Sequence, residues 1–359
     1  MIRVPVRLAG ASYDVTIGAG VLANAREALP LLPGAERAFV VAAQPVAERY
    51  LEPLEASLDL PTVHLTIPEG EGAKTLRTAE VLYEHLATQG AHREDPILAL
   101  GGGATGDAAG FVAATYMRGM PLVQLPTTLT AQVDASVGGK VGVNLPLGKN
   151  LVGAFHQPVA VIADVATLVS LPDEGFRSGL GEVVKYGLAV DPDILDLLER
   201  SHGAVTTRDP DALAELVAAC VRAKASVVAA DERDTGARAV LNYGHTLAHA
   251  LERLDRYGGI GHGEAVAVGM AFAARLAAAL GIASPDLVAR HLRVLAALGL
   301  PQTPPALDPD EVLEAMRLDK KYRRGYRFVL LEEVGRPRVV EVPPGAIRDA
   351  LAETLGGAV

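Results

Sequence analysis

The chain has 359 residues, of which 50% are apolar, and it carries a formal net charge of −10 at pH 7. This length is typical of two domains, and the acidic balance argues against a nucleic-acid or anionic-membrane partner. The single cysteine, Cys220, excludes an internal disulfide framework. No apolar run approaches the ~18 residues that span a bilayer, and the N-terminal segment lacks the apolar core of a signal peptide. We therefore expect a soluble, cytoplasmic protein that binds neither membranes nor nucleic acids.

The first half of the chain alternates short apolar runs with helical stretches. In chain order, the predicted elements are an antiparallel pair of strands at Arg3–Val6 and Tyr13–Ile17, strands at Arg37–Val41 and Thr62–Ile67, a helix at Thr75–Gln89, and strands at Pro96–Leu100 and Val159–Asp164. Strands that alternate with helices favour a largely parallel sheet. Residues 1–171 are thus predicted to form a Rossmann-like α/β domain.

After Leu171 the pattern becomes mainly helical. The predicted helices are Pro192–Arg200, Asp211–Ala230, His245–Leu254, Glu264–Leu280, Pro285–Leu298 and Pro309–Leu318. A β-hairpin is predicted from Tyr326–Leu331 and Val339–Val342. Residues 172–359 are therefore predicted to form a mainly α-helical second domain, and we expect the active site in the cleft between the two domains.

A glycine-rich segment, Gly101–Asp107, follows the predicted strand that ends at Leu100. It contains G-x-G-x-x-G, whose glycines let backbone N–H groups approach a phosphate at a helix N-terminus. The acidic residue that usually contacts the ribose about 20 residues later is absent from Val123–Thr128. A tight strand-to-helix turn is the alternative interpretation, but we favour binding of a dinucleotide pyrophosphate.

A polar, glycine-containing segment runs from Pro126 to Lys140, and Gly148-Lys149-Asn150 follows it. Long polar loops between elements are often functional. Neither Lys140 nor Lys149 completes a Walker A loop, because the required earlier glycines are absent. The two lysines therefore do not indicate ATP-driven phosphoryl transfer.

Three histidines lie close together in the second half. His245 and His249 are four residues apart and share a helix face, and His262 follows at the start of the next predicted helix. Catalytic zinc takes three nitrogen or oxygen ligands and keeps one position open. A lone helical histidine is more often a core or surface residue, but this cluster favours a metal site. The spacing is not H-E-x-x-H, so zinc-peptidase chemistry does not follow.

A carboxylate ligand would have to come from another segment, and Glu182 is the candidate. Glu182 and Lys185 would share a face if their segment is helical, and their neighbours are apolar. A charged pair among Leu and Val is costly to bury without partners. The alternative interpretation is a surface ion pair.

Several basic or polar residues lead toward the histidines. Lys224, Arg238 and Asn242 are candidates for binding an anion. Asp319-Lys320-Lys321 forms a comparable basic patch, for which a surface role is the alternative.

Together these motifs resemble the 3-dehydroquinate synthase family, from about Pro68 to Lys321. The matching segments are Glu69-Gly70-Glu71 with Lys74, Gly101–Asp107, Tyr116-Met117-Arg118-Gly119, Pro126–Lys140, Lys149-Asn150, Gly181–Lys185 and Asn242–His249. Their order and spacing are far more specific than any single motif.

The resemblance implies that Glu182, His245 and His262 ligate one divalent metal ion, Zn²⁺ or Co²⁺, and that His249 is a pocket residue. It implies that NAD is bound by Glu69, Gly70, Glu71, Lys74, Gly103, Ala104, Thr105, Gly106, Asp107, Thr127, Thr128, Lys140, Lys149, Thr167, Leu168, Val169 and Ser170. It implies that the catalytic and substrate-binding residues are Asp134, Asn150, Lys185, Lys224, Arg238, Asn242, His249 and Lys320 or Lys321. Arg118 would reach the substrate phosphate from the neighbouring subunit of a homodimer.

The implied reaction converts 3-deoxy-D-arabino-heptulosonate 7-phosphate, a small anionic sugar phosphate, to 3-dehydroquinate and phosphate in the shikimate pathway of aromatic amino-acid biosynthesis. The metal acidifies a hydroxyl, and NAD⁺ takes hydride from its carbon to create a ketone. Phosphate then leaves by β-elimination, the hydride returns, and ring opening with an intramolecular aldol step closes the carbocycle. The enzyme would be a phosphate-eliminating carbon–oxygen lyase without net NAD consumption.

Three alternatives to this reaction stay open. Another sugar-phosphate cyclase would use the same motifs. A metal-dependent polyol dehydrogenase would release NADH stoichiometrically, but a neutral polyol needs no cationic clamp such as Lys140 and Arg238. A non-catalytic nucleotide- or metal-binding regulator would lack a ligand or a pocket cation, and none is missing from the sequence.

Overall fold

The computed structural model describes residues 1–254, 260–304, 307–318 and 325–356. These residues group into two compact units. The first comprises Met1–Leu171 and Thr207–Arg233, and the second comprises Pro172–Thr206 and Asp234–Val359. Within the described ranges, no helix is long and apolar enough to cross a membrane.

Strands and helices are numbered in chain order. The strands are β1 Ile2–Arg7, β2 Ser12–Gly18, β3 Ala38–Ala43, β4 Thr62–Ile67, β5 Ile97–Gly101, β6 Leu122–Pro126, β7 Lys140–Leu145, β8 Gly148–Phe155, β9 Ala160–Asp164, β10 Tyr326–Glu333 and β11 Arg336–Val342. The helices are α1 Gln44–Ala56, α2 Leu76–Thr88, α3 Gly103–Thr115, α4 Asp173–Ala189, α5 Pro192–Arg200, α6 His202–Thr206, α7 Pro210–Ala230, α8 His245–Leu254, α9 His262–Ala279, α10 Pro285–Ala297, α11 Pro309–Arg317 and α12 Pro344–Gly356.

The first unit is built on a twisted sheet with the strand order β1-β2-β9-β6-β5-β3-β4. Strands β1 and β2 are antiparallel, and the other neighbours are parallel. Strands β3, β5 and β9 are buried along their whole length and are apolar except for Asp164 at the end of β9, because both faces of a parallel sheet are covered. The predicted α/β fold with a largely parallel sheet and an antiparallel addition is confirmed.

The strand order reverses between β3 and β5. From β3 the chain passes through α1 to β4 on one side, and α2 then returns it to β5 on the other side of β3. Ligands of open α/β sheets bind beyond the carboxyl ends of the strands at such a point of reversal. The glycine-rich segment begins at this point, at the end of β5.

Two features of the first unit differ from the sequence prediction. Strands β7 and β8 form an antiparallel hairpin that carries Lys140, Lys149 and Asn150, where a loop was expected. Gly142 and Gly153 face each other across it, and glycine weakens the sequence signal of a strand. Helix α7 packs against β1 and β2 and belongs to the first unit, although its sequence lies within the predicted second domain. The division into domains 1–171 and 172–359 stays a prediction.

The second unit is mainly helical, as predicted, and α9 lies at its centre. This helix packs against α4, α8, α10, α12 and β10, and most of its residues are buried. Several helices begin with a side-chain cap followed by proline, as at Asp191-Pro192, Ser284-Pro285 and Asp308-Pro309. The cap accepts a backbone N–H, and proline needs no partner at that position. The predicted hairpin is present as β10 and β11.

Candidate active site

The glycine-rich segment forms a tight connection between β5 and α3. A Cβ on Gly101 would lie 2.5 Å from Thr105 Oγ1, and one on Gly106 would lie 2.6 Å from Gln124 Oε1 on β6. These two glycines therefore let α3 begin directly against the sheet. The N-terminus of α3, at Gly103, lies at the point of strand reversal, which is where a pyrophosphate would be placed.

A partly buried ion pair joins Lys74 to Asp107 in the second turn of α3. Lys74 Nζ lies 2.6 Å from Asp107 Oδ2, and the Lys74 side chain is almost fully buried. Burial raises the pKa of Asp107, and the Lys74 ammonium opposes that effect. Asn144 connects this region to the β7–β8 hairpin, because its amide donates to Glu71 Oε2 at 2.6 Å and its side-chain oxygen accepts from Asn150 N at 2.8 Å. Segments predicted to bind one cofactor are therefore joined by hydrogen bonds.

Two other predicted cofactor segments meet around a buried glutamine. Gln132 Nε2 donates to Pro126 O at 3.1 Å, to Asp164 O at 2.9 Å and to Thr167 Oγ1 at 3.2 Å. Thr127 N donates to Gly101 O at 2.9 Å. These bonds hold Thr127, and with it the adjacent Thr128, close to the turn Val165–Val169 that carries Leu168.

Lys224 on α7 reaches a π-helical turn, Ala131–Ala135. Its ammonium donates to the main-chain oxygen of Asp134 at 2.6 Å and also to the Asp134 carboxylate. Lys224 is almost fully buried. Two predicted substrate residues separated by 90 positions are thus in contact, and π-helical turns often mark functional sites.

The predicted metal ligands converge in the second unit. Glu182 on α4 is fully buried, and its Oε1 lies 3.1 Å from His262 Nε2 and 3.5 Å from His245 Nε2. One donor atom from each of the three residues lies within 4.8 Å of the others. The opposite ring nitrogens are also engaged: His245 Nδ1 lies 3.1 Å from Tyr243 O, and His262 Nδ1 lies 3.3 Å from Glu252 Oε1. A carboxylate and two imidazoles in this arrangement suit a catalytic divalent ion.

Glycines beside the three residues let their helices approach closely. Gly181 on α4 packs against α9, where an added Cβ would lie 2.2 Å from Gly263 O. Gly269 on α9 packs against the start of α8, where an added Cβ would lie 1.9 Å from Gly244 O. Glu182, His245 and His262 each neighbour one of these glycines. The backbone contacts therefore fix the spacing of the cluster.

Electrostatics differ between the two histidines. Burial lowers the pKa of His245 well below its usual value, although Glu182 opposes this shift. Burial also lowers the pKa of His262, but hydrogen bonds with Glu182 and Glu252 outweigh it and raise that pKa to about 10. A cation and a proton would therefore compete for His262 Nε2, so metal binding there would release a proton.

Among the other predicted residues of the second unit, Lys185 and His249 contact the cluster, and Arg238 and Asn242 lie shortly before His245 in the chain. Lys185 is fully buried, and its Nζ lies 2.5 Å from Glu182 Oε2, so the pair is not the surface ion pair considered as the alternative. The rings of His249 and His245 have centroids 5.5 Å apart. Arg238 is buried on the 3₁₀ turn Ala237–Asn242, which ends at Asn242 just before Tyr243.

The remaining predicted residues that the structure describes lie on turns. Arg118 is exposed on a turn where it and Met117 both adopt left-handed backbone conformations, with φ of 64° and 50°. Such strain in residues other than glycine is a mark of functional sites. Glu69 and Gly70 begin the 3₁₀ turn that leads to Lys74. Ser170 contacts Tyr50 on α1. Lys320 and Lys321 lie outside the described residues.

Asn144, Gln132 and Glu252 make some of these contacts but were not named as site residues from the sequence. Gln132 lies in the polar segment Pro126–Lys140 that was singled out, whereas Asn144 gave no sequence signal, because its contacts join segments far apart in the chain. Glu252 had one, since it lies seven residues after His245 and thus on the same helix face.

Comparison with known proteins places all of these segments in one family. The family model described as 3-dehydroquinate synthase N-terminal matches residues 64–178, and that described as 3-dehydroquinate synthase C-terminal matches residues 179–322. A 3-dehydroquinate synthase from Halorhodospira halophila is 48% identical over 352 residues, which cover 98% of this chain and 99% of that protein.

Solved structures of related cyclases share the fold. A 2-deoxy-scyllo-inosose synthase complexed with carbaglucose-6-phosphate, NAD⁺ and Co²⁺ gives a TM-score of 0.91 at 30% identity, covering 99% of this chain and 100% of that chain. A 2-epi-5-epi-valiolone synthase from Streptomyces hygroscopicus subsp. jinggangensis, with NAD⁺ and Zn²⁺ bound, gives 0.87 at 30% identity, covering 98% and 99%.

Proposed function

We propose that this chain, which belongs to the 3-dehydroquinate synthase family, converts 3-deoxy-D-arabino-heptulosonate 7-phosphate to 3-dehydroquinate and phosphate. It would do so as a carbon–oxygen lyase that depends on NAD and a divalent metal ion. The proposal rests on the convergence of Glu182, His245 and His262 in a chain that is 48% identical to the 3-dehydroquinate synthase from Halorhodospira halophila.

The donor set of Glu182, His245 and His262 fits Zn²⁺ or Co²⁺, because three nitrogen and oxygen donors leave a coordination position for substrate. A divalent ion bound there supplies Lewis acidity for the substrate hydroxyls. The chain itself contributes the buried Glu182 carboxylate and holds both imidazoles by their Nδ1 atoms. Loss of tightly bound metal from His262→Ala would support this ligand set, and full retention of one ion would contradict it.

The proposed NAD site is the point of strand reversal beyond β3 and β5. The start of α3 would bind the pyrophosphate, and the hairpin lysines Lys140 and Lys149 would add positive charge. NAD bound there supplies a hydride acceptor and donor. Support comes from the hydrogen bonds that join Glu71, Lys74 and the hairpin in one region of the first unit.

The substrate is a phosphorylated acid, and cationic side chains would bind its charges. Lys185, Lys224 and Arg238 are all buried, which is costly for a cation unless anionic partners are present. Glu182 pairs with Lys185 and Asp134 pairs with Lys224, and a substrate phosphate and carboxylate would be further anionic partners. Asn150, Asn242 and His249 are the proposed uncharged polar contacts, and Lys320 is a further proposed cation.

The chain is also proposed to act as a cytoplasmic homodimer in which Arg118 reaches the partner's substrate. Arg118 lies on an exposed, strained turn, and Met117 beside it exposes 44% of its surface. Light scattering would measure the oligomeric state. The contribution of Arg118 to the neighbouring site can be tested by mixing two inactive variants, Arg118→Ala and Lys185→Ala. If each site combines Lys185 of one subunit with Arg118 of the other, a mixed dimer contains one intact site and should regain activity.

The decisive assay measures phosphate release with NAD far below the substrate concentration, with and without a chelator. Many turnovers for each NAD, without lasting NADH absorbance and with loss of activity on chelation, would support the lyase. One NADH for each substrate, with phosphate still attached, would instead identify a polyol dehydrogenase. Faster phosphate release from a different sugar phosphate than from the heptulosonate phosphate would favour another sugar-phosphate cyclase. Arg238→Ala should lose phosphate release but keep its metal.

A further inference from the structure

Glu252 is a buried carboxylate that lies next to the candidate metal site without belonging to it. It lies two turns after His245 on the same face of α8, and its side chain is only 7% exposed. Its Oε1 lies 3.3 Å from His262 Nδ1. Burial of a carboxylate is costly unless hydrogen-bonding or charged partners compensate for it, and His262 is one such partner of Glu252.

Glu252 and the candidate metal position lie on opposite sides of the His262 ring. The Nε2 atom points toward Glu182 Oε1, 3.1 Å away, whereas Nδ1 points toward Glu252. Glu252 therefore lies away from the Nε2 atom that would bind the metal ion. A ring that binds a cation through Nε2 carries its proton on Nδ1, and an acceptor at Nδ1 stabilises that tautomer.

The second histidine has an acceptor at the same ring position. His245 Nδ1 lies 3.1 Å from Tyr243 O, and its Nε2 points toward Glu182. Each ring thus has an acceptor at Nδ1, which is a main-chain carbonyl for His245 and a carboxylate for His262. The carboxylate is the stronger acceptor because it is charged, and it also adds a negative charge near the cation.

We propose that Glu252 is a positioning residue of the metal centre. It accepts a hydrogen bond from His262 Nδ1–H, fixes the orientation and tautomer of that ring, and increases the affinity of Nε2 for the metal ion. This inference rests on the proposed function for the presence of the ion, and it extends the site by a residue that is not itself a ligand.

The test measures Zn²⁺ affinity of purified, metal-free full-length protein by competition with a chromophoric chelator. Glu252→Ala should weaken binding about 10–100-fold, the usual cost of removing such a partner. Glu252→Gln keeps a neutral acceptor and should weaken it about fivefold. The matched control is Glu264→Gln. Glu264 lies near the start of the same helix as His262, but its carboxylate accepts from Gly261 N instead of a ring, so zinc affinity should stay within twofold.

A second measurement follows the Nδ1 hydrogen bond directly, through ¹H and ¹⁵N spectra of the histidine rings in the zinc-loaded protein. The wild type should show the downfield Nδ1–H resonance of a ring that donates to a carboxylate, and Glu252→Ala should move that resonance upfield. Unchanged zinc affinity and an unchanged Nδ1–H resonance in Glu252→Ala would overturn the proposal but leave the proposed function standing. Absence of zinc binding by the wild type would overturn both. If Glu252→Ala does not fold, wild-type affinity in Glu252→Gln would overturn the proposal.

Discussion

Replacement of Gly181 by alanine should separate two helices that hold the metal cluster. The added Cβ would lie 2.2 Å from Gly263 O, whereas ordinary contacts begin at about 3.4 Å, so α4 and α9 would have to move apart by about 1.2 Å. Glu182 follows Gly181 directly and His262 precedes Gly263, so the 3.1 Å separation of their donor atoms would change with the helices. Metal sites tolerate only about 0.2 Å of error in ligand distance. We expect zinc affinity to fall at least tenfold.

The same substitution should lower the free energy of unfolding, whereas a control substitution of another glycine should not. Alanine normally stabilises a helix interior by ~1 kcal/mol relative to glycine, but overpacking costs about 1–3 kcal/mol. Gly181→Ala should therefore lower the free energy of unfolding of the metal-free protein, measured in urea. Gly203→Ala, on α6 of the same unit with no atom within 4 Å of its Cβ, should leave it unchanged or raise it. Wild-type zinc affinity and a gain in stability for Gly181→Ala would refute the close-packing argument.

Two further predictions concern pH and the cofactor. Burial lowers the pKa of His291 to about 4, and its two ring nitrogens form hydrogen bonds with the Tyr243 hydroxyl and with Leu287 O. Between pH 6.5 and pH 4, the histidine is therefore protonated in the unfolded state but not in the folded state. The contribution of His291 to the free energy of unfolding is fully present above pH 6.5. It decreases by about 3 kcal/mol as the pH falls from 6.5 to 4. Urea unfolding of His291→Gln should show a correspondingly smaller loss between pH 7 and pH 4, and an equal loss would disprove the assignment. Lys149→Ala should weaken NAD at least about tenfold by calorimetry, the effect of one charge-assisted contact, whereas unchanged affinity would remove Lys149 from the proposed site.

The metal cluster shows how far spacing could lead. His245 and His249 share a helix face, which made them equally good ligands by spacing alone. The structure places His262 and His245 against Glu182, and His249 beside His245 as a ring neighbour. Helical periodicity defines which residues share a face, but it does not define which other helix packs there.

The sequence by itself determined the local elements and their chemistry. Alternating apolar runs and helical stretches predicted a largely parallel sheet, the pattern after Leu171 predicted a mainly helical region, and Gly101–Asp107 was placed directly after the strand that ends at Leu100. These follow from backbone conformation and side-chain type within a few residues. Only the tertiary structure decided that α7 joins the first unit and brings Lys224 to Asp134, and that Glu252 meets His262. Those contacts depend on which surfaces pack together across long stretches of chain, and their free energy is gained only when the whole core forms.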